Sequence, residues 1–195
     1  MNRRDLVSLA VAVAAVMIIS TSSFAAGVAI GDKAPDFEAV GVDGRLVNLE
    51  SVKDAKVVVV NFTCNDCPVA TAYEDRFIEF AKRYEDKGVK MLAINVNVSE
   101  DLDMMRERAQ SKGFNFPYAY DASGDSARAY GATVTPHLFI LDQNRNVAYK
   151  GSFDDKMSEP TKHFAVDAVE AILAGKKPET ASTKEFGCGI ELSIK

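Results

Sequence analysis

The sequence predicts an α/β domain in which a central mixed β-sheet is flanked by helices. The first observation is the apolar run Val57–Phe62, whose β-branched residues are typical of a strand buried on both faces of a largely parallel sheet. The second is a stripe of apolar residues, spaced three or four apart between Val69 and Tyr84, which predicts an amphipathic helix. The third is another apolar strand, Met91–Val96, directly after that helix. Together these three segments form a βαβ unit.

The first 25 residues have the pattern of a bacterial export signal rather than of folded structure. Arg3 and Arg4 give a basic start, the apolar stretch Leu6–Ile19 follows, and small residues lead to a cleavage site after Ala25. The stretch is shorter than the roughly 20 apolar residues that a membrane-spanning helix needs. We therefore expect residues 1–25 to be a cleaved signal peptide and the protein to be periplasmic or secreted. An uncleaved membrane anchor is the alternative, and the arginine pair leaves both the Sec and Tat routes open.

The other elements follow from turn signals and periodicity. Asp43 and Gly44 form a strong turn signal between two short alternating runs, which predicts an N-terminal hairpin within Val40–Leu49. A helical insertion and a second hairpin follow the βαβ unit. The predicted elements are a helix over Asp101–Lys112, a strand over Tyr118–Tyr120, a helix over Ser123–Tyr130, strands over Leu138–Leu141 and Val147–Lys150, and a helix over Thr161–Ala174.

A strand, a helix and a strand, followed by an antiparallel hairpin and a closing helix, is the order of the thioredoxin fold. The N-terminal hairpin and the helical insertion are additions to that order. We therefore divide the chain into a signal peptide over residues 1–25, a thioredoxin-like domain over residues 26–175 and a C-terminal tail over residues 176–195. The tail has no clear periodicity and carries Cys188.

Charge and cysteine content limit the classes of function. The formal net charge of −5 gives no sign of a nucleic-acid partner. The chain has three cysteines, Cys64, Cys67 and Cys188, whereas two structural disulfides would require four. An exported chain with this odd number is expected to carry a reactive thiol or a pair that cycles between thiol and disulfide. No organic cofactor is implied.

Cys64 and Cys67 lie where the predicted central strand ends and the next helix begins. At this position the positive end of the helix dipole and free backbone N–H groups lower the pKa of a thiol. We expect Cys64 to be accessible and Cys67 to be shielded within the first helical turn. The two-residue spacing would allow Cys64 to attack a partner's disulfide and Cys67 to resolve the mixed disulfide. With one further cysteine only, a structural zinc site is poorly supplied with ligands.

Three segments carry recognisable motifs: GDKAPDF at Gly31–Phe37, NFTCNDCP at Asn61–Pro68 and YGATVTPHLFILD at Tyr130–Asp142. They resemble the thioredoxin-like redoxins of the alkyl hydroperoxide reductase/thiol-specific antioxidant (AhpC/TSA) family. The similarity extends from Gly31 to about Ala174, which is most of the chain after the predicted signal. The resemblance thus covers most of the predicted domain.

The resemblance implies a substrate groove at Thr135 and Pro136. In such redoxins this pair forms a cis-proline loop that faces the active-site cysteines, and an X-Pro bond adopts the cis form at little cost. Thr135 would offer its backbone to a bound partner as an additional strand. Pro136 would shield the sulfur atoms from stray metal ions.

Peroxiredoxins belong to the family that this chain resembles, and two positions separate their pattern from this chain. They have a Thr-x-x-Cys-Pro motif and an arginine just before a later strand. Here Cys64 occupies the threonine position and Pro136 falls about where the arginine is expected, so both groups that polarise a peroxide are missing. We therefore favour an exported thiol–disulfide oxidoreductase whose partners are protein thiols or disulfides. Peroxide reduction through Cys67 is the alternative.

Two further residues are candidates for the site. Cys188 lies between Gly187 and Gly189, and a mobile tail with these glycines would bring it to the cysteine pair as an electron relay. His137 directly follows the proline, and two thiolates with an imidazole form a reasonable Cu(I) site. A copper-binding or copper-delivery protein, similar to the Sco-type members of the fold, is therefore a second alternative, although those proteins have a longer cysteine spacing.

Overall fold

A computed structural model describes residues 27–193, so the predicted signal peptide lies outside the described residues. This part of the chain forms an α/β domain. The strands are β1 (Ala39–Gly41), β2 (Leu46–Val47), β3 (Val57–Phe62), β4 (Val89–Asn95), β5 (Tyr118–Tyr120), β6 (Val134–Thr135), β7 (His137–Leu141), β8 (Val147–Gly151) and β9 (Cys188–Gly189). The helices are α1 (Pro68–Tyr84), α2 (Leu102–Lys112), α3 (Asp125–Tyr130) and α4 (Phe164–Leu173).

Seven of the strands form one mixed sheet with β3 near its centre. The strand order is β2-β1-β5-β4-β3-β7-β8. β3 runs parallel to β4 and antiparallel to β7, and β4 runs parallel to β5. The predicted central mixed sheet is therefore confirmed. β6 and β9 form a separate two-stranded sheet.

The valine run of β3 supplies apolar side chains to both faces of the sheet. Successive side chains of a strand point to opposite faces. Val58, Val60 and Phe62 belong to one core cluster, whereas Val57 and Val59 belong to the cluster on the other face, and all five are fully buried. A strand that is covered on both faces needs such a continuous apolar run.

Helices cover both faces of the sheet. The predicted stripe on α1 packs in the cluster with Val57 and Val59, through Tyr73, Phe77 and Phe80. α4 joins this cluster, while α3 and the segment before β1 pack on the opposite face. Within residues 27–193, none of the helices has the length and apolar character that a membrane span requires.

The element bounds agree with the sequence prediction to within a few residues, and the last helix differs at its start. The prediction starts that helix at Thr161, whereas α4 begins at Phe164. The backbone N–H groups of Thr161 and Lys162 donate to the carboxylate of Asp155, at 2.9 and 3.1 Å. These hydrogen bonds hold the segment in a loop and delay the start of the helix.

The C-terminal tail packs against the domain rather than extending from it. Ser182 forms a parallel bridge with Lys150 of β8, and the tail strand β9 pairs antiparallel with β6. In addition, the hydroxyl groups of Tyr149 and Thr183 lie 2.7 Å apart. Periodicity cannot reveal a strand of two residues, so the sequence predicts no element here.

An ion pair with a buried carboxylate joins α1 to α2. Arg108 donates two hydrogen bonds to Glu74, both at 2.8 Å, and Lys112 lies 3.5 Å from the same carboxylate. The Glu74 side chain is 5% exposed. Such a buried carboxylate depends on its partner, because a buried charge without one is strongly unfavourable.

We predict that Arg108→Met lowers the free energy of unfolding by about 3 kcal/mol, because it leaves Glu74 buried with Lys112 as its remaining cation. Urea unfolding followed by circular dichroism measures the change. The matched control is Arg83→Met, which removes an exposed arginine 4.0 Å from Glu170 and should cost less than about 1 kcal/mol. Equal losses in the two variants would contradict the structural role of Arg108.

Candidate active site

The end of β3 and the start of α1 hold the two cysteines together. β3 ends at Phe62, and Cys67 is the N-cap residue of α1, with Pro68 as the first helical residue. The backbone N–H of Ala70 donates to Cys67 Sγ at 3.3 Å. The cysteines therefore lie at the strand-to-helix junction, as the sequence predicts. All three cysteines are free thiols in this structure.

Thr135 contacts both sulfur atoms from the opposite side. Its hydroxyl oxygen lies 3.1 Å from Cys64 Sγ, and its carbonyl oxygen lies 3.0 Å from Cys67 Sγ. The Thr135-Pro136 peptide bond is cis, as the resemblance implies. The structure thus brings the predicted groove residues and the predicted dithiol into one cluster.

The expectation that Cys64 is accessible is wrong for this structure. Cys64 is 3% exposed and Cys67 is 2% exposed, so both are buried. Both cysteines pack with Ala70, and Val69 and Cys188 lie against them. Because Cys188 comes from the tail, the sequence of the central domain alone does not reveal this cover.

The two thiols of the pair have pKa values shifted in opposite directions. The hydrogen bond from Cys64 lowers the pKa of Cys67, and contacts with Cys188 and the Ala70 N–H act in the same direction. The same hydrogen bond and burial raise the pKa of Cys64. Within the pair, Cys67 is therefore the thiol that ionises more readily.

A buried carboxylate supports the loop between the cysteines. Glu100, at the end of the loop after β4, accepts hydrogen bonds from the backbone N–H groups of Asn65 and Asp66, at 2.9 and 3.2 Å. It also accepts one from Asn95 Nδ2 at 2.9 Å. Glu100 is 3% exposed, and burial raises its pKa. It holds the backbone of the active-site loop in place without touching either sulfur atom.

Sequence reasoning missed Glu100 because it lies at the start of a charged run that suits an exposed helix. A topological signal was available. Glu100 follows β4, and Cys64 follows β3, which runs parallel to β4. The carboxyl ends of parallel strands meet at the same edge of a sheet, so polar residues after both strands are expected to lie close together.

His137 lies apart from the thiols in its contacts. It is the first residue of β7, its ring packs 4.6 Å from the ring of Phe139, and it is 5% exposed. Its Nδ1 has no hydrogen-bond partner among the described residues. Residues 27–193 contain no group of three or more His, Cys, Asp or Glu side chains arranged to hold a metal ion. The Cu(I) site considered for His137 with the two cysteines is therefore not assembled in the described part of the chain.

Cys188 reaches the site as part of β9. In the antiparallel register it lies opposite Thr135, and its side chain packs against the buried cluster of Cys64, Cys67 and Ala70. The structure therefore places the third cysteine at the dithiol, where the sequence prediction of a relay requires it. The three cysteines therefore pack in one region of the structure.

We predict that Glu100→Gln shifts the pH profile of Cys64 alkylation to lower pH. The charge of Glu100 contributes to the raised pKa of the Cys64 thiol, so its removal makes thiolate formation easier. Alkylation rates between pH 6 and pH 10, resolved for each cysteine by mass spectrometry, measure the shift. Glu107→Gln, which removes an exposed carboxylate from α2, is the control and should leave the profile unchanged. An unchanged profile in Glu100→Gln would contradict the electrostatic contact.

We predict that His137 makes the protein less stable in acid. Burial lowers its pKa to about 4 from 6.5, so between these values the unfolded chain binds the extra proton and the folded chain does not. Stability therefore falls as the pH is lowered from about 6.5 to 4, by about 3 kcal/mol from this residue. The parent should lose about this much more than His137→Phe when urea unfolding is compared at pH 7 and pH 4. His163→Gln, at an exposed position, should behave as the parent, and a parental pH dependence in His137→Phe would refute the assignment.

Relatives of the chain include named oxidoreductases. Thiol-disulfide oxidoreductase ResA of Geobacillus thermodenitrificans is 32% identical over 123 residues, which is 62% of this chain and 67% of that protein. ResA of Bacillus anthracis is 26% identical, and the match spans 66% of its length, slightly less than two thirds. Peroxiredoxin-6 of Bos taurus is 26% identical over 149 residues, or 76% of this chain and 60% of that protein.

Solved structures show the same fold. A hypothetical protein from Sinorhizobium meliloti 1021 has a TM-score of 0.80 at 31% identity, covering 87% of this chain and 97% of the other. A protein described as a thiol:disulfide interchange protein DsbE from Chlorobium tepidum has a TM-score of 0.58 at 27% identity, covering 64% and 85%. With the mixed sheet and its flanking helices, these similarities confirm the predicted thioredoxin-like fold. A sequence model of the AhpC/TSA family matches residues 30–150, and the chain belongs to this family.

Proposed function

We propose that this protein is an exported thiol–disulfide oxidoreductase that acts through Cys64 and Cys67. The proposal depends mainly on one observation. The two cysteines lie at the N-terminus of α1, and the sulfur atoms of both contact Thr135. Relatives named thiol-disulfide oxidoreductase support it. Export to the periplasm or the exterior rests on the signal pattern of residues 1–25, and the partners are proteins that carry thiols or disulfides.

The first step is attack of Cys64 on the partner's disulfide. Cys64 Sγ bonds to one partner sulfur, the partner's S–S bond breaks, and the other partner sulfur leaves as a thiolate. The proton of the Cys64 thiol passes to Cys67 through the hydrogen bond between them. Because the pKa of Cys67 is lowered, Cys67 ionises before Cys64, and its thiolate is the group that accepts this proton.

The second step resolves the mixed disulfide. Cys67 gives its proton to the departing partner thiolate and attacks Cys64 Sγ, which forms the Cys64–Cys67 disulfide and releases the second partner thiolate. One partner disulfide becomes two thiols while the protein's two thiols become one disulfide. The reverse sequence would oxidise a partner dithiol, so the same atoms serve both directions.

Thr135, Pro136 and Glu100 position the reacting groups. The backbone of β6 is the proposed docking strand for an extended partner segment, which would add to it as a further strand. The Thr135 hydroxyl lies next to Cys64, the attacking sulfur. Glu100 keeps the loop at Asn65 in the conformation that presents this sulfur.

Peroxide reduction through Cys67 is the second candidate function, and the lowered pKa of Cys67 favours it. The surroundings of Cys67 fit peroxide less well than disulfide exchange. The Thr135 carbonyl, an acceptor, lies 3.0 Å from Cys67 Sγ, whereas a peroxide needs donors that stabilise the charge developing on its oxygen atoms.

We predict that Cys64→Ser abolishes exchange with a protein disulfide and that Cys67→Ser traps a mixed disulfide between Cys64 and the substrate. The loss arises because serine is a far poorer nucleophile than a thiolate, and the trap because the resolving sulfur is gone. Reduction of a disulfide substrate and non-reducing mass spectrometry measure the two results. Cys188→Ser is the control that keeps the proposed dithiol.

Full activity of Cys67→Ala together with an inactive Cys64→Ala would contradict the dithiol mechanism. A stoichiometric pulse of hydrogen peroxide separates the second candidate. Rapid peroxide consumption that depends on Cys67, with slow disulfide exchange, would make the protein a peroxidase instead. A slow response to peroxide with fast exchange agrees with the oxidoreductase proposal.

A further inference from the structure

The C-terminal tail is fixed to the domain on both sides of Cys188. Before it, Ser152 N donates to Thr183 Oγ1 at 3.0 Å. After it, Glu191 N donates to Asn97 Oδ1 at 3.0 Å. The tail therefore crosses the active site between two attached points, and we call the segment of residues 184–190 the strap.

Between these points, the tail is paired with the proposed docking strand. Cys188 lies opposite Thr135 and Gly189 lies opposite Val134 in the antiparallel register. The backbone N–H of Ile190 continues the contact by donating to the Thr133 carbonyl at 3.0 Å. The edge that a partner segment would use is thus already occupied by the protein's own chain.

Gly187 allows this close approach. A Cβ atom at this position would overlap the carbonyl oxygen of Thr135 and would also crowd the nitrogen of Pro136. Both are backbone atoms, so they cannot turn aside as a flexible side chain does. A Cβ atom at Gly189, by contrast, would meet nothing within 4 Å. A side chain is therefore excluded at Gly187 but has room at Gly189.

The paired tail also completes a cluster of three thiols. Cys188 packs against the buried cluster that contains Cys64 and Cys67, and it lies opposite Thr135, whose carbonyl oxygen accepts from Cys67 Sγ at 3.0 Å. Cys188 is half-buried, while the other two are buried. Cys67 therefore has two neighbouring thiols, Cys64 and Cys188, as candidate disulfide partners.

We propose that residues 187–190 are a built-in occupant of the docking strand β6 and that Cys188 locks them there by forming a disulfide with Cys67. The inference rests on the proposed function, which assigns β6 to partner docking. It deepens that function by making access of the partner depend on the redox state of the tail.

The locking step is an internal thiol–disulfide exchange. When Cys64 and Cys67 are joined, the Cys188 thiolate attacks Cys67 Sγ, so that the Cys67–Cys188 bond forms and the Cys64–Cys67 bond breaks. The electron pair leaves on Cys64 Sγ, which takes up the proton that Cys188 has given up. No outside oxidant is needed, because the disulfide only changes its partner.

The charge on Cys67 favours this step in the oxidised protein over the reduced protein. In the reduced protein the hydrogen bond with Cys67 and its negative charge raise the pKa of Cys188. Cys67 carries no charge once it is part of a disulfide, so Cys188 then ionises more easily. The oxidised protein is therefore closed by its own tail, and the reduced protein is the form in which the tail can be released to admit a partner.

Disulfide mapping tests the lock. Cys64→Ser treated with diamide, a thiol oxidant, should form an intramolecular Cys67–Cys188 disulfide, which mass spectrometry of the non-reduced digest identifies. Cys67→Ser is the matched control, since it retains two cysteines but lacks the central one. It should form at least about tenfold less intramolecular disulfide, because Cys188 and Cys64 each interact with Cys67 and, in the described part of the chain, no interaction links them to each other.

Alkylation of the reduced protein tests the occupancy of β6. Gly187→Ala should dislodge the strap and raise the rate at which N-ethylmaleimide modifies Cys64 by about tenfold or more, because loss of the paired strand exposes a buried thiol. Gly189→Ala should alkylate at the parental rate. Circular dichroism establishes that both variants are folded, and the diamide result does not depend on either glycine variant.

Absence of the Cys67–Cys188 disulfide in Cys64→Ser would overturn the proposal, and so would a parental alkylation rate in folded Gly187→Ala. Neither assay contains a protein substrate, so both are independent of the proposed function. Failure of the proposed function would give a different result: the unaltered protein would exchange with a protein disulfide no faster than Cys64→Ser does.

Discussion

The complete burial of β3 is the constraint on which the rest of the molecule depends. A strand covered on both faces must satisfy its backbone through its neighbours, and β4 and β7 do this on the two sides. The same two strands carry the chain segments that meet the cysteines. Glu100 follows β4, and Thr135 precedes β7, so pairing of the sheet assembles the site. The site is therefore a consequence of how one apolar strand is paired.

Burial also determines the chemistry of the thiols. In water the three thiols would titrate independently, whereas in the cluster they share protons and charge. Interactions with the neighbouring thiols and with the first turn of α1 lower the pKa of Cys67, whereas its hydrogen bond with Cys67 and burial raise the pKa of Cys64. Glu100 adds a second buried negative group a short distance away, and it is satisfied by backbone N–H groups rather than by a cation. The site is thus stabilised by oriented dipoles.

Much of this arrangement could be predicted from sequence, and the reasons are local. The valine run Val57–Phe62 and the helix stripe after it have strong periodicity, and the observed bounds of β3 match the predicted ones. The position of the cysteine pair could be predicted because neighbouring residues define a strand-to-helix junction. The role of Glu100 was not predicted, because its burial depends on sheet pairing. The burial of Cys64 under the tail was not predicted either, because β9 has two residues and pairs with a strand more than fifty positions earlier. Periodicity carries no information about such long-range contacts.

The pairing of β9 with β6 has a consequence for how the chain is divided. The family match ends at residue 150 and the predicted domain at residue 175, so either boundary would suggest a shorter protein. A chain cut there would lose the segment that covers Val134 and Thr135, and would leave their backbone groups as an open strand edge beside reactive thiols. Open edges recruit strands from other molecules, which leads to aggregation. We therefore expect the tail to protect this domain from aggregation as well as to take part in its chemistry.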